Sequence, residues 1–113
     1  MKRTALKRSK KKSTQEQIAQ AIAMLDMFKE IWDERLHSCY ETGEGLGEEP
    51  KTIYFHHVLP KLKYPQYAIS KWNIVLLSWL AHDQCEIDLD RSPKVKALYL
   101  DLLEKHHNFE LKP

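Results

Sequence analysis

Three histidines and one asparagine carry the clearest chemistry of the sequence. His56 and His57 stand side by side in an aromatic run, Asn73 opens an apolar run, and His82 follows further along. A neutral imidazole can take a proton from water near neutral pH, and it can also bind a divalent metal ion. Metal-assisted hydrolysis needs both functions, because water must lose a proton while negative charge builds on the group that it attacks. The four residues therefore point to metal-assisted hydrolysis.

Two strands and a helix must position these side chains. The predicted ranges are 52–58 for the first strand, 59–72 for a basic connection, 73–77 for the second strand and about 78–88 for the helix. Pro60 should end the first strand, since proline cannot donate a hydrogen bond to a sheet. Neighbouring strand residues point to opposite faces, so His56 and His57 can both face one metal ion only at a strand end or a bulge.

This arrangement resembles the HNH endonuclease family, in particular small phage and bacterial members. The matching text is His56-His57-Val58-Leu59-Pro60-Lys61, then Asn73-Ile74-Val75-Leu76-Leu77, then His82. The resemblance covers about residues 37–88 and implies a ββα-metal unit that cuts DNA around one divalent ion. By the same resemblance, His57 matches the general base, while His56 and His82 match metal ligands. Asn73 matches the asparagine that pins the loop and so orients the base; the alternative is a turn residue that opens a strand.

Glu86 lies four residues after His82, which places both side chains on one face of the predicted helix. Several members of the family carry a third histidine ligand at that spacing. A glutamate there can bind a hard ion such as Mg²⁺ or Mn²⁺, directly or through water. The alternative is a solvated surface carboxylate. We expect Mg²⁺ or Mn²⁺, although such a site also accepts Zn²⁺ or Ni²⁺.

The predicted fold class is α+β, a ββα-metal unit flanked by a long N-terminal helix and a C-terminal helix. Apolar residues recur at three- to four-residue steps over about 14–36, behind a capping box that starts at Ser13. Pro93 suits the first turn of a last helix over about 93–107, and His106-His107 end it. Residues 13–113 are therefore expected to form a single domain.

Residues 1–12 form a basic arm that is expected to be disordered when free. The arm has seven basic and no acidic side chains, so the rest of the chain carries 18 − 7 = 11 basic against 16 acidic groups. A cationic arm on an acidic body is typical of nucleic-acid contact, and the alternative is a solvating tail. The residues expected to contact DNA phosphates, or else to be ordinary solvated lysines, are Lys10, Lys11, Lys12, Lys61, Lys63 and Lys71.

Cysteine and tryptophan contribute less to the functional interpretation. Cys39 and Cys85 belong to no CxxC pair, so we expect two partly buried thiols in a reducing compartment, with no disulfide and no structural zinc. The tryptophans Trp32, Trp72 and Trp79 are expected in the core, with stacking on bases as the alternative. His37 follows the first helix, where it either caps that helix or lies near the site.

No stretch of the sequence is long and apolar enough to cross a bilayer, so the expected location is the cytoplasm. The resemblance implies that the cell is bacterial or phage-infected. The resemblance implies a role in phage DNA processing or recombination. Two rivals stay open: a nucleic-acid-binding module that has lost turnover, and a protein-interaction domain in which the histidines only pack. The oligomeric state is open as well, and cutting both strands would favour a dimer.

Overall fold

The computed structural model describes residues 14–113, which form an α+β fold of three helices and a small antiparallel sheet. The elements are α1 (Thr14–Glu34), β1 (Phe55–His57), β2 (Ile74–Leu76), α2 (Trp79–Ile87) and α3 (Pro93–His107). Single 3₁₀ turns, each three residues long, lie between them. The proposed N-cap Ser13 and the basic arm lie outside the described residues.

The sheet pairs β1 with β2, with His56 opposite Val75 and His57 opposite Ile74. Its first strand is shorter than the predicted 52–58, because Thr52–Tyr54 form a 3₁₀ turn. That part of the prediction was wrong: β-branched and aromatic residues favour a strand, but the regular pairing with β2 covers three positions. The loop before the sheet is tied to it as well, since the Tyr40 N–H donates to the Leu76 carbonyl at 2.7 Å.

The predicted helices α2 and α3 are confirmed, and their first turns explain where they begin. Ser78 precedes α2 and its hydroxyl accepts from the Ala81 N–H at 3.2 Å. Pro93 occupies the first turn of α3, where its missing N–H costs nothing. The Glu41 carboxylate, far away in sequence, accepts from the N–H groups of Lys94 and Val95 at 3.2 and 3.0 Å. Helix α3 is thereby fastened to the loop before the sheet.

The core lies where the C-terminal half of α1 meets the sheet. Ile31 and Leu77 are fully buried there, and Phe28 stacks on Phe55 with ring centroids 4.3 Å apart. The Arg35 guanidinium, just beyond α1, donates to the carbonyls of Ile74 and Lys71 at 2.6 and 2.8 Å. Helix α1 is therefore held firmly at its C-terminal end.

The N-terminal half of α1 has much less contact with the rest of the described chain. Its apolar residues Ile18, Ile22 and Leu25 are all more than half exposed, at 53, 54 and 59%. Below this half of the helix lies a groove of about 1090 Å³, whose opposite wall is the connection between the strands. None of the described helices is both long enough and apolar enough to span a membrane.

The minor predictions have mixed outcomes. Both cysteines are buried and free, as expected. Trp32 is buried, but Trp79 is 63% exposed at the start of α2, so the expectation of a core position was wrong for that residue. His37 stacks on Trp32, and its Nε2 lies 2.9 Å from the Trp32 carbonyl near the end of α1. His37 therefore caps the first helix.

Candidate metal centre and base

Strand β1 sends its two histidines to opposite sides, as the pleat of a strand requires. The His56 ring lies edge-on to His82 of α2, with centroids 5.0 Å apart, and its Nε2 is 3.7 Å from the Cys85 sulfur. The His57 ring lies on the other side, 6.3 Å from the Phe28 ring of α1. The two adjacent imidazoles therefore belong to two different environments, one facing α2 and one facing α1.

A group that could hold a metal ion lies on the α2 side. One ligand atom from each of His56, His82 and Glu86 lies within 4.8 Å of the others. His82 and Glu86 are one helical turn apart, with 3.6 Å between Nε2 and a carboxylate oxygen. The predicted ligands are thus brought together, and two imidazoles with one carboxylate suit a divalent transition ion. His57 is outside this group of described residues.

The His82 ring is oriented by the backbone. Its Nδ1 lies 2.6 Å from the carbonyl of Ile53, in the 3₁₀ turn that precedes β1. A carbonyl can only accept, so Nδ1 carries the proton and Nε2 keeps its lone pair. Metal-bound histidines are commonly fixed in this way by a carbonyl or carboxylate on the other nitrogen. The Ile53 carbonyl has no signal in the sequence, because every residue carries one.

The protonation state of His56 also suits a ligand. Burial lowers the pKa of His56 to about 4, and the neighbouring His82 and His57 act in the same direction. His56 is therefore neutral at physiological pH and offers a lone pair. Cys85, which borders it, has a thiol whose pKa is raised chiefly by burial, so it stays protonated.

The base candidate on the α1 side is held by the connection between the strands. The Nε2 of His57 lies 2.8 Å from the Ala68 carbonyl, so Nε2 carries the proton and Nδ1 is the basic nitrogen. Burial lowers the pKa of His57, and the hydrogen bond to the Ala68 carbonyl opposes this shift. The nearby Lys61 and His82 lower the pKa further. The ring is neutral near pH 7, the state that a general base requires.

Asn73 fixes the connection that holds His57. It is fully buried, its Oδ1 accepts from the Leu59 N–H at 2.7 Å, and its Nδ2 donates to the carbonyls of Leu59 and Tyr67 at 3.0 and 3.2 Å. One side chain thus joins the first residues of the connection to its middle. Asn73 is a cross-link between two backbone segments rather than a simple turn residue.

Both histidine sides open towards the same groove. The groove is lined by His57, His82 and Lys61, together with apolar residues of α1 and of the connection. An extended substrate lying in it would therefore pass both the candidate base and one candidate ligand. The residues that line it include one lysine and no acidic side chain.

The predicted phosphate-binding lysines differ from one another. Lys61 lines the groove and Lys63 lies near the Tyr64 ring, with its nitrogen 5.8 Å from the centroid. Lys71 is bound by two carboxylates of α1, Glu30 and Glu34, at 2.9 and 2.7 Å. Its charge is therefore already neutralised in part. Lys10, Lys11 and Lys12 lie outside the described residues.

No family model, curated protein or solved structure matches the chain. The functional interpretation therefore depends on the resemblance of the motif, on the residues and on their geometry.

Proposed function

We propose that this protein is a metal-dependent DNA endonuclease of the HNH type, with a ββα-metal unit formed by β1, β2 and α2. The observation that carries the proposal is that the two adjacent histidines of β1 lie in different environments. His56 joins a three-residue group able to hold a metal ion, while His57 faces the same groove as a neutral imidazole with an oriented ring.

In this proposal each residue has a distinct task. His57 accepts the proton of the attacking water at Nδ1, because its Nε2 proton is engaged by the Ala68 carbonyl. His56, His82 and Glu86 would hold the ion, and Asn73 keeps the connection in the shape that orients His57. A divalent ion held there would neutralise charge on the phosphate and support the departing 3′-oxygen. Lys61 lines the same groove and would contact a backbone phosphate of the DNA strand lying there.

The described wall of the groove carries Lys61 and no acidic side chain, which favours an anionic ligand such as nucleic acid. A contact from Lys61 to a phosphate would position the DNA without reading its sequence. We propose that the arm, with Lys10, Lys11 and Lys12, adds affinity without specificity. A role in phage DNA processing follows from the resemblance of the motif alone.

The test separates metal binding from catalysis. Cleavage of supercoiled, branched and single-stranded DNA is measured with Mn²⁺, Mg²⁺, Ni²⁺, Zn²⁺ or EDTA, and Mn²⁺ affinity is measured by calorimetry. We expect His57→Ala to keep Mn²⁺ affinity within about twofold and to lose cleavage by at least about 100-fold. We expect His82→Ala to lose both, with Mn²⁺ affinity reduced by at least about tenfold.

His107→Ala is the matched control, since His107 is an exposed histidine at the end of α3. It should behave like the native protein in both assays. Cleavage that persists at full rate in His57→Ala would overturn the role of the base. Absence of cleavage on every substrate, together with salt-dependent DNA binding, would favour a binding module without turnover.

A further inference from the structure

The end of α3 contacts the connection between the strands, although it lies outside the ββα unit. The His106 Nδ1 and the Tyr67 hydroxyl are hydrogen-bonded at 2.8 Å, across 39 residues of sequence. The His106 ring also lies edge-on to Tyr64 and Tyr67, with centroid distances of 5.1 and 5.6 Å. The contact is therefore a specific polar bond within an aromatic cluster.

Tyr67 immediately precedes the residue that orients the candidate base. The Ala68 carbonyl lies 2.8 Å from the Nε2 of His57, and the Tyr67 carbonyl accepts from Asn73. A shift of Tyr67 by a fraction of an ångström therefore moves the partner of His57 directly.

The backbone around Ala68 has little rigidity of its own. Pro65–Tyr67 form a single 3₁₀ turn, a short element with poor hydrogen-bond geometry. The bonds that follow are long, with Ala68 N to Pro65 O at 3.2 Å and Ser70 N to Tyr67 O at 3.3 Å. Ala68 has only a methyl group, which cannot anchor it. The buried phenol ring of Tyr67 is consequently a side-chain anchor of this turn, beside the Asn73 amide that donates to the Tyr67 carbonyl.

We propose that His106 is a positioning residue, which orients His57 through Tyr67 and the Ala68 carbonyl. The inference rests on the proposed function, in which His57 is the general base. With the contact in place, His57 holds its proton on Nε2 and presents Nδ1 to water. Without it, the Ala68 carbonyl moves, and part of the protein takes the tautomer that has Nδ1 protonated and unable to accept.

The direct readout is the tautomer of His57, observed by long-range ¹H–¹⁵N correlation NMR on the metal-free full chain. The native protein should show the Nε2-protonated form alone. Tyr67→Phe, which removes only the hydroxyl, and His106→Ala should show a mixture of both tautomers. His106→Asn keeps a polar atom near the position of Nδ1 and should restore the single form, and His107→Ala is the matched control.

The second readout is cleavage under single-turnover conditions. In Tyr67→Phe and His106→Ala the rate constant should fall on the order of tenfold or more, while KM and Mn²⁺ affinity stay within about twofold. A contact that were merely structural would lower stability without changing the His57 tautomer. If His106→Ala does not fold, Tyr67→Phe gives the decisive answer, because it retains the ring and its packing.

The outcomes separate the two proposals. An unchanged His57 tautomer in both Tyr67→Phe and His106→Ala overturns the positioning role, whether or not the protein cuts DNA. Altered tautomers in a protein that cuts no substrate would support the positioning of His57 and refute the nuclease. If His57→Ala is inactive while the His57 tautomer is unchanged in Tyr67→Phe and His106→Ala, the nuclease would be supported and the role of His106 refuted.

Discussion

The α2 side and the α1 side of β1 differ in how their histidines are held. On the α2 side, His56 and His82 belong to regular elements, their rings lie edge-on 5.0 Å apart, and Glu86 is one helical turn beyond His82. On the α1 side, His57 depends on the Ala68 carbonyl, in a connection with no regular element longer than three residues. A local helix spacing thus brings two of the candidate ligands together, whereas the candidate base is held by a loop that long-range bonds fix.

One pleat of β1 thus places two adjacent histidines in different surroundings, which would separate the two proposed roles. A change of one residue in the register of β1 would exchange the sides of His56 and His57. The register is set by bonds at both ends of the pair, from Val58 N to the Asn73 carbonyl and from Leu77 N to the Tyr54 carbonyl, each 2.8 Å long. Perturbations that act on one side only should consequently affect one role only.

The largest expected effect comes from Asn73, which supports the α1 side alone. Asn73→Ala leaves the Leu59 N–H and the Leu59 and Tyr67 carbonyls without their buried partner. We expect the free energy of unfolding to fall by about 3 kcal/mol or more, measured by urea denaturation. In the protein that stays folded, cleavage should fall much further than Mn²⁺ affinity, because no ligand of the proposed ion contacts Asn73.

Asn108→Ala is the matched control, since Asn108 is exposed at the end of α3. Its effect on unfolding should be small. A loss of stability in Asn73→Ala no greater than that in Asn108→Ala would contradict the view that the connection depends on this cross-link.

The elements of the α2 side could be predicted from sequence, because their signals are local. The helix was predicted over about 78–88, close to its observed range Trp79–Ile87, and the spacing of His82 and Glu86 placed them on one face. The strands were predicted where β1 and β2 lie, but both were predicted too long, because Thr52–Tyr54 and Lys71–Asn73 form 3₁₀ turns. The group of His56, His82 and Glu86 was expected as such, while its occupancy by a metal ion stays a prediction.

The arrangement of the α1 side could not be predicted in the same detail. The Ala68 and Ile53 carbonyls have no sequence signal, and the bond between Tyr67 and His106 joins positions 39 residues apart. The carboxylate of Glu41 that caps α3 and the two carboxylates that bind Lys71 are long-range contacts as well. Periodicity predicts which face of an element is apolar, but it does not predict which distant polar group that element meets.

The second prediction uses pH to address the α2 side of the metal-free protein. The pKa of His56 falls from 6.5 to about 4 on folding, so between these values the unfolded chain binds the proton more readily. The contribution of His56 to the free energy of unfolding is therefore fully present above about pH 6.5 and decreases as the pH falls towards 4. The loss attributable to His56 amounts to about 3 kcal/mol. Burial also lowers the pKa of His57, which adds a loss of the same sign.

The measurement is the free energy of unfolding in urea from pH 7.5 to 4, with EDTA present. His56→Asn removes the titrating group, so its stability should depend less on pH than that of the native protein over the same interval. Parallel curves for the two proteins would show that His56 is not the group responsible.

The smallest expected effect distinguishes two lysines of the α1 side. Lys61 lines the groove, whereas Lys71 is held by Glu30 and Glu34. A phosphate contact contributes about 0.9 to the slope of log affinity against log salt on duplex DNA. We expect Lys61→Gln to reduce this slope by nearly that amount and Lys71→Gln to reduce it much less, measured by fluorescence anisotropy between 50 and 200 mM salt.

The two glutamates provide the sharper form of this test. The double replacement Glu30→Gln with Glu34→Gln frees the Lys71 ammonium and removes the two negative charges beside it. DNA affinity should then rise, and adding Lys71→Gln to this variant should now reduce the slope as Lys61→Gln does. If Lys71→Gln has the full effect in the native background, the ion pairs with α1 do not restrain it. Lys71 would then be a phosphate contact equal to Lys61, because exposed ion pairs are easily exchanged for stronger ones.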